Sequence, residues 1–330
     1  MGSSSSKSGR KKSFTDEDLL STIDDGSIGE QFRYIQGRRF HNVLSAVYDL
    51  PNDDEEADRL HLEHFLIKAV WQSNFSSPII RQLESNSDDN IVSLTIIEWD
   101  LCTGRREYYE RCGSGSWSLE MSADYPNSKF VGLDISPIFP TRIKPNNLTF
   151  QKSNILEGIN YRDGEFDFVH MRFMMPAFTQ AQWEEIVIRE IVRVLAVGGY
   201  LELCEYELCQ NCGPVFEKLL SSRREMLRKM GINPDISQIL GKFVDATSQF
   251  EQIHHDERII PVGKTWAGKI GEVGKEDIHT RMLAIKPVLF PFMGITSEEY
   301  DEMMRKSILE FDEYKTFFVT CRWYAKKVHS

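Results

Sequence analysis

The chain predicts an α/β fold built on a largely parallel sheet, and three observations carry that prediction. Between residues 91 and 206 short apolar runs alternate with helical stretches. Such alternation is the pattern of buried parallel strands covered by helices on both faces. A glycine-rich turn, Gly113-Ser114-Gly115, stands directly before one helical stretch. Nineteen residues after Gly115 an apolar run, Val131-Gly132-Leu133, ends in Asp134. Glycines between strand and helix let backbone approach a ligand, and a carboxylate at the next strand end can accept both hydroxyls of a ribose.

The elements are read in chain order. Residues 1–25 are rich in Ser, Lys and Gly and predict a disordered leader. Within it Met1-Gly2-Ser3-Ser4-Ser5-Ser6 fits the N-myristoylation pattern, followed by Lys7, Arg10, Lys11 and Lys12. One acyl chain binds membranes marginally, so a basic cluster would be the second attraction required. A Ser-rich leader that merely begins Met-Gly is the alternative. Residues 26–90 read as an N-terminal helical segment. Phe32, Ile35, Phe40, Val43, Leu44 and Val47 predict a helix ending near Pro51. Acidic residues 52–58 open a second, amphipathic packing helix through Leu60, Leu62, Phe65, Leu66, Ala69 and Val70. A short third helix follows Pro78.

Strands are expected at Leu94–Ile97, Phe130–Leu133, Leu148–Phe150, Phe166–Val169 and Tyr200–Leu203, with helices at Ser116–Ala123 and Gln182–Leu195. Residues 207–310 read as a helical cap, with a loop from Gly263 to Gly274. The stretch from Thr316 to Tyr324, rich in β-branched and aromatic residues, predicts a strand within a last segment 311–330.

Composition narrows the function. The 330 residues carry 39 Lys plus Arg against 50 Asp plus Glu, a formal charge of −11. That balance argues against a broad grip on nucleic acid, which needs clustered cations. No apolar run reaches the roughly 18 residues that span a bilayer. The six cysteines, Cys102, Cys112, Cys204, Cys209, Cys212 and Cys321, lack framework spacing, and Cys209-Gln-Asn-Cys212 is a lone CxxC. Reduced thiols in an intracellular protein are the expectation, with structural zinc the minor alternative.

A nicotinamide dinucleotide fingerprint would want a third glycine at position 118, which is Ser118. The downstream runs point elsewhere. "CGSGSW" (112–117), "FVGLDISPIFP" (130–140), "DGEFDFVHMRF" (163–173) and "RVLAVGGYLELCE" (193–205) resemble the class I S-adenosylmethionine-dependent methyltransferases, within them the fungal LaeA-like type. Tyr48-Asp-Leu-Pro51 with Glu56-Ala-Asp-Arg-Leu60, and the C-terminal "GKTWAGKIGE", "MGITSEEYDEM" and "EFDEYKTFFVTCRWYAKK", extend the likeness over residues 30–327. The resemblance implies a doubly wound, mostly parallel seven-stranded sheet, with N-terminal helices and a helical cap. It also implies S-adenosylmethionine as cofactor and methyl transfer to a small-molecule acceptor.

By position, Gly113 and Gly115 would lie against the methionyl part of the cofactor. Asp134, with Ile135 beside it, would hold the ribose, and Asn154 with Ile155 the adenine. Tyr48 would cap the cofactor, with core packing as its alternative. His170 would face the methyl group; a packed strand-end histidine is its ordinary explanation. His170 and Glu205 are the candidates for a general base if the acceptor must lose a proton.

The chain departs from the family upstream of Gly113. Tyr109 stands where the family has an acid and Arg111 where it has the first glycine. Residues 93–111 are explained either by an insertion or by a gene model that translates intron sequence. A catalytically inactive, regulatory or membrane-tethered binding protein is therefore the competing expectation, and a protein partner would accompany it. Cytoplasm, the membrane surface through an acylated Gly2, and the nucleus are the locations expected.

Overall fold

The computed structural model describes residues 32–41, 50–84, 95–99, 115–135 and 143–329. Its centre is a seven-stranded mixed sheet in the order β5-β4-β3-β6-β7-β9-β8. Strands β3 (Thr95–Trp99), β4 (Lys129–Asp134), β5 (Leu148–Lys152), β6 (Phe166–Arg172) and β7 (Leu195–Tyr206) are mutually parallel. Strand β9 (Phe317–Lys327) runs antiparallel between β7 and β8 (Phe250–Pro261).

Alternate strand residues enter two cores. Phe130, Leu148 and Phe168 pack with Trp117, Met121, Phe75, Ile79 and Leu83. Val131, Leu133, Val169, Met171, Leu201 and Leu203 pack with Ile188, Ile191, Phe216 and Leu219. Both faces of the sheet are thus covered, as the apolar runs require. Ser116–Asp124 forms α3, and Gln180–Gln182, Trp183–Val187 and Ile188–Val194 run on as α4 with a π-helical middle. At the turn into β7, Gly198 has φ +90°, and a Cβ on Gly199 would lie 2.6 Å from the Asp167 carbonyl oxygen. Val197 in the same turn is 58% exposed.

Three expectations are corrected. Residues 32–41 form a hairpin, β1 (Phe32–Ile35) with β2 (Arg38–His41), not a helix. Gln36 at φ 50° and Gly37 at φ 79° make the left-handed two-residue turn that matches strand twist, and this turn outweighs the apolar spacing. The polar run at 250–261 is the edge strand β8. Its exposed Glu251, His255, Glu257 and Arg258 hide the period, as edge strands carry charge against mispairing. The cap of residues 207–310 therefore also supplies a strand, beside helices α5 (Pro214–Lys229), α6 (Leu240–Ala246), α7 (Lys264–Ala284), α8 (Lys286–Met293) and α9 (Ser297–Glu313). The glycines from 263 to 274 lie largely inside α7, kinked at Gly268, and a Cβ on Gly274 would meet the Pro261 carbonyl oxygen at 2.3 Å. Gly271 and Gly274 are close-packing glycines of a helix, and the segment is not a loop.

The second N-terminal helix is α1 (Asp54–Trp71), capped by Asp53, and the short α2 (Ile80–Glu84) follows Pro78. It is not simply amphipathic: Glu56, Arg59, Glu63 and His64 are all at most 4% exposed. Arg59 donates to Glu56 at 2.7 and 2.9 Å, to Glu63 at 2.9 Å and to Asp277 of α7 at 3.1 Å. Arg281 completes the cluster, bonding Asp277 at 2.8 Å and also Glu63. This buried five-charge cluster joins the N-terminal arm to the cap. Among the described residues no helix is long and apolar enough to cross a membrane.

Candidate functional site

The site is built where β3, β4, β5 and β6 end. Gly115 caps α3 at φ 48° and ψ 10°, a left-handed conformation that glycine adopts without a Cβ penalty. Its carbonyl accepts the Leu119 N–H at 2.7 Å, so the helix begins at the turn itself. Asp134 closes β4, is 5% exposed, and its carbonyl accepts the Ser153 N–H at 2.8 Å. Ile135 is half-buried just beyond it. A glycine-started helix and a strand-end carboxylate thus lie on the carboxyl side of adjacent elements, where open α/β sheets take their ligands.

Asn154 is more engaged than its expected role implies. Its side chain accepts the Leu156 N–H at 3.1 Å and donates to Glu157 at 2.8 Å, capping the 3-10 turn Ile155–Glu157. Ile155 is buried at 3% exposure and belongs to the larger core. Gly113, Tyr48, Tyr109 and Arg111 lie outside the described residues.

His170 is 1% exposed and stacks on Trp117, with ring centroids 4.2 Å apart and planes 7° from parallel. Burial, then the charges of Arg172, Arg322 and His64, hold its pKa well below the usual histidine range. It is a neutral, walled-in imidazole. Trp117 is itself fixed, donating from Nε1 to the Asn74 carbonyl at 2.8 Å.

Around this stack runs a polar chain that the sequence reading missed. His61 meets Ser116 Oγ at 2.9 Å, at the first turn of α3. His64 meets Glu120 at 2.8 Å and Arg172 at 3.1 Å. Burial, reinforced by Arg172, lowers the His64 pKa to about 3. Burial would raise Glu120, but hydrogen bonds from Lys68, His64 and Asn74 overcome it and hold the carboxyl below its ordinary value. The available signal was the spacing of His61, His64 and Lys68, which places them along one side of α1.

Glu202 and Glu205 of β7 serve different partners. Glu202, fully buried, accepts from the Ser76 N–H at 2.9 Å, the Ser77 N–H at 2.8 Å and Ser77 Oγ at 2.7 Å. It ties the arm after α1 to the sheet. Trp71 Nε1 donates to Thr320 at 2.9 Å, and Arg322 lies 4.3 Å over the Trp71 ring, so β9 grips the same arm. Glu205, 1% exposed, accepts from the Met174 N–H at 2.7 Å and the Met175 N–H at 3.3 Å. Burial pushes its pKa up to about 8 against those two bonds, and Glu63 adds to the rise.

Among the described residues no group of three or more His, Cys, Asp or Glu could hold a metal ion. Cys209 and Cys212 are free, and burial pushes Cys212 up to about 12 and Cys209 further. These are protonated thiols, poor as nucleophiles and as ligands.

Residues 111–199 match the family model described as a methyltransferase domain. Over 306 residues the chain is 28% identical to the secondary metabolism regulator laeA of Coprinopsis cinerea, covering 85% of this chain and 69% of that protein. It is 29% identical over 178 residues to the methyltransferase pytC of Aspergillus terreus, covering 53% of this chain and 47% of that one. It is 23% identical over 155 residues to the methyltransferase str2 of Strobilurus tenacellus, covering 46% and 55%. The chain thus spans about half the length of the latter two. With the glycine-started helix, the strand-end Asp134 and the parallel order of the central strands, these matches show a methyltransferase domain at residues 111–199 and a chain similar to the LaeA-like methyltransferases.

Proposed function

We propose that the protein transfers a methyl group from S-adenosylmethionine to a small-molecule acceptor of apolar or mixed character. The observation that carries this reading is the pairing of Gly115, left-handed at the start of α3, with Asp134 at the end of β4. The residues present fit the cofactor. Gly115 would lie along its methionyl part, and the nearly buried Asp134 carboxylate would take the ribose hydroxyls. When bound, S-adenosylmethionine supplies a methyl group on a good sulfonium leaving group.

The protein's own work is alignment and exclusion of water. Trp117 and His170 form a rigid wall under the strand ends, and the arm tied down by Glu202 and Arg322 closes the side. His170, neutral and stacked, suits a wall better than a base. An acceptor that must lose a proton would need another group.

A second reading is a regulatory, catalytically inactive binding protein with a protein partner. Tyr109 and Arg111, in place of the family's acid and first glycine, favour it. Calorimetric titration of the full chain with S-adenosylmethionine separates the two, and absence of binding at millimolar cofactor would sink the enzyme reading. Sequencing the transcript across codons 90–115 tests whether this segment is translated. We also propose that Gly2 is acylated and, with Lys7, Arg10, Lys11 and Lys12, brings the protein to a membrane surface.

A further inference from the structure

Phe173 follows the last residue of β6 and has φ +57° while only 4% exposed. The left-handed region costs an L-residue about 1–2 kcal/mol, and a bulky residue there marks a position that its surroundings hold in place. The holding bonds are visible. Phe173 N–H donates to the Cys204 carbonyl at 2.8 Å, and Glu205 takes the next two N–H groups, of Met174 and Met175. The Met174 carbonyl then accepts the Ala177 N–H at 2.9 Å, opening the 3-10 turn Met175–Ala177.

A buried carboxylate is a costly acceptor for two backbone amides, because ionisation is opposed by burial. No ion pair reaches Glu205 among the described residues. The groups facing it are Glu63 of α1, the Cys204 thiol on its own strand and the Cys321 thiol of β9. None is a cation. The turn lies beyond the carboxyl end of β6, three residues after His170 of the Trp117–His170 wall, on the side where this class of sheet binds ligands.

We propose that Glu205 is a positioning residue, which shapes the Phe173–Met175 turn and through it the floor on which the methyl acceptor rests. This rests on the methyltransferase reading for the acceptor, but not for the clamp. The ionised carboxylate offers both oxygens to the two N–H groups, whereas the acid form keeps one good acceptor. The clamp is tighter when Glu205 is charged.

The test is a pH titration of the full chain labelled at methionine methyl carbons, with Met174 and Met175 assigned through Met174→Leu and Met175→Leu. Both signals are expected to move together with a midpoint near 8, as the carboxyl requires. In Glu205→Gln both should stay fixed between pH 6 and 9.5. Static wild-type signals, or the same titration in Glu205→Gln, would overturn the clamp. If the variant does not fold, the wild-type titration decides alone. Calorimetry with S-adenosylmethionine on the same sample keeps the readings apart: loss of binding with the titration intact removes the enzyme and leaves the clamp. With an acceptor in hand, Glu205→Gln should raise its KM about tenfold and leave the cofactor Kd within twofold. A tenfold change in cofactor Kd instead would assign the turn to the cofactor and end the proposal.

Discussion

Glu205→Gln changes stability in a pH-dependent way whose size follows from the structure. Burial raises the folded-state pKa of Glu205 from 4.5 to about 8. A carboxyl whose pKa is raised on folding binds more protons in the native state, so its contribution falls as pH rises between the unfolded and folded values. The stabilisation is present near pH 5 and is gone by pH 9. At about 1.4 kcal/mol per pH unit, the full span is about 5 kcal/mol. Between pH 6 and 8 the loss is about 2 kcal/mol, since the native carboxyl is already half ionised at the upper end. Gln keeps the acceptor for Met174 but sets an amide donor toward Met175, an offset of about 1 kcal/mol that does not vary with pH. The quantity to measure is the unfolding free energy of the variant minus that of the wild type, from urea melts at pH 6, 7, 8 and 9. It should climb by about 2 kcal/mol from pH 6 to 8 and flatten above 9. Subtracting the variant removes the other titrating groups, among them His64. A difference constant to within about 0.5 kcal/mol across that range would refute the assignment of a raised pKa to Glu205.

Other outcomes follow from the same structure. Arg59→Met strands the buried Glu56 and leaves Glu63 and Asp277 to Arg281 alone, and should cost about 3–5 kcal/mol in urea unfolding; a cost below about 1 kcal/mol would mean the cluster is solvated. Gly115→Ala forces a Cβ into left-handed backbone, so cofactor binding should weaken at least tenfold by calorimetry while the fold loses only about 1 kcal/mol. Gly241→Ala would set a Cβ 2.3 Å from the Trp323 ring, and should lower Tm by several degrees in a thermal melt. Intact-mass spectrometry of the native protein should show a myristoyl group on Gly2, and an unmodified Gly2 would dismiss the anchoring proposal.

Much of the parallel sheet was legible because fully buried strands are apolar throughout and end in turn residues. Phe130–Leu133 and Phe166–Val169 needed no partner to be recognised. β8 was not legible, since an edge strand buries little and carries charges that mimic a helix surface. The β1–β2 hairpin depended on two residues, Gln36 and Gly37, whose left-handed turn outweighs apolar spacing. At the site, Gly115 and Asp134 were readable because their roles are local to a turn and a strand end. His61, His64, Glu120 and Arg172 were not: spacing aligns the two histidines along α1, but their meeting with α3 and β6 is written in no single segment. Arg59 and Glu63 belonged to what reads as an amphipathic packing helix, and their partners Asp277 and Arg281 lie more than two hundred residues later.

The place of β9 has a consequence for how the molecule comes into being. Strands β7 and β8 precede β9 in the chain, so β7 has only β6 beside it and β8 has no partner strand until residues 317–327 take their place between them. Trp71, Ser73 and Ser76 wait for the same strand, since Thr320 and Arg322 are their partners. Until then β7 keeps an open edge, and the arm, already held by Glu202, lacks its bonds to Thr320 and Arg322. Insertion of β9 therefore joins β7 to β8 and fastens the N-terminal arm with the same few residues.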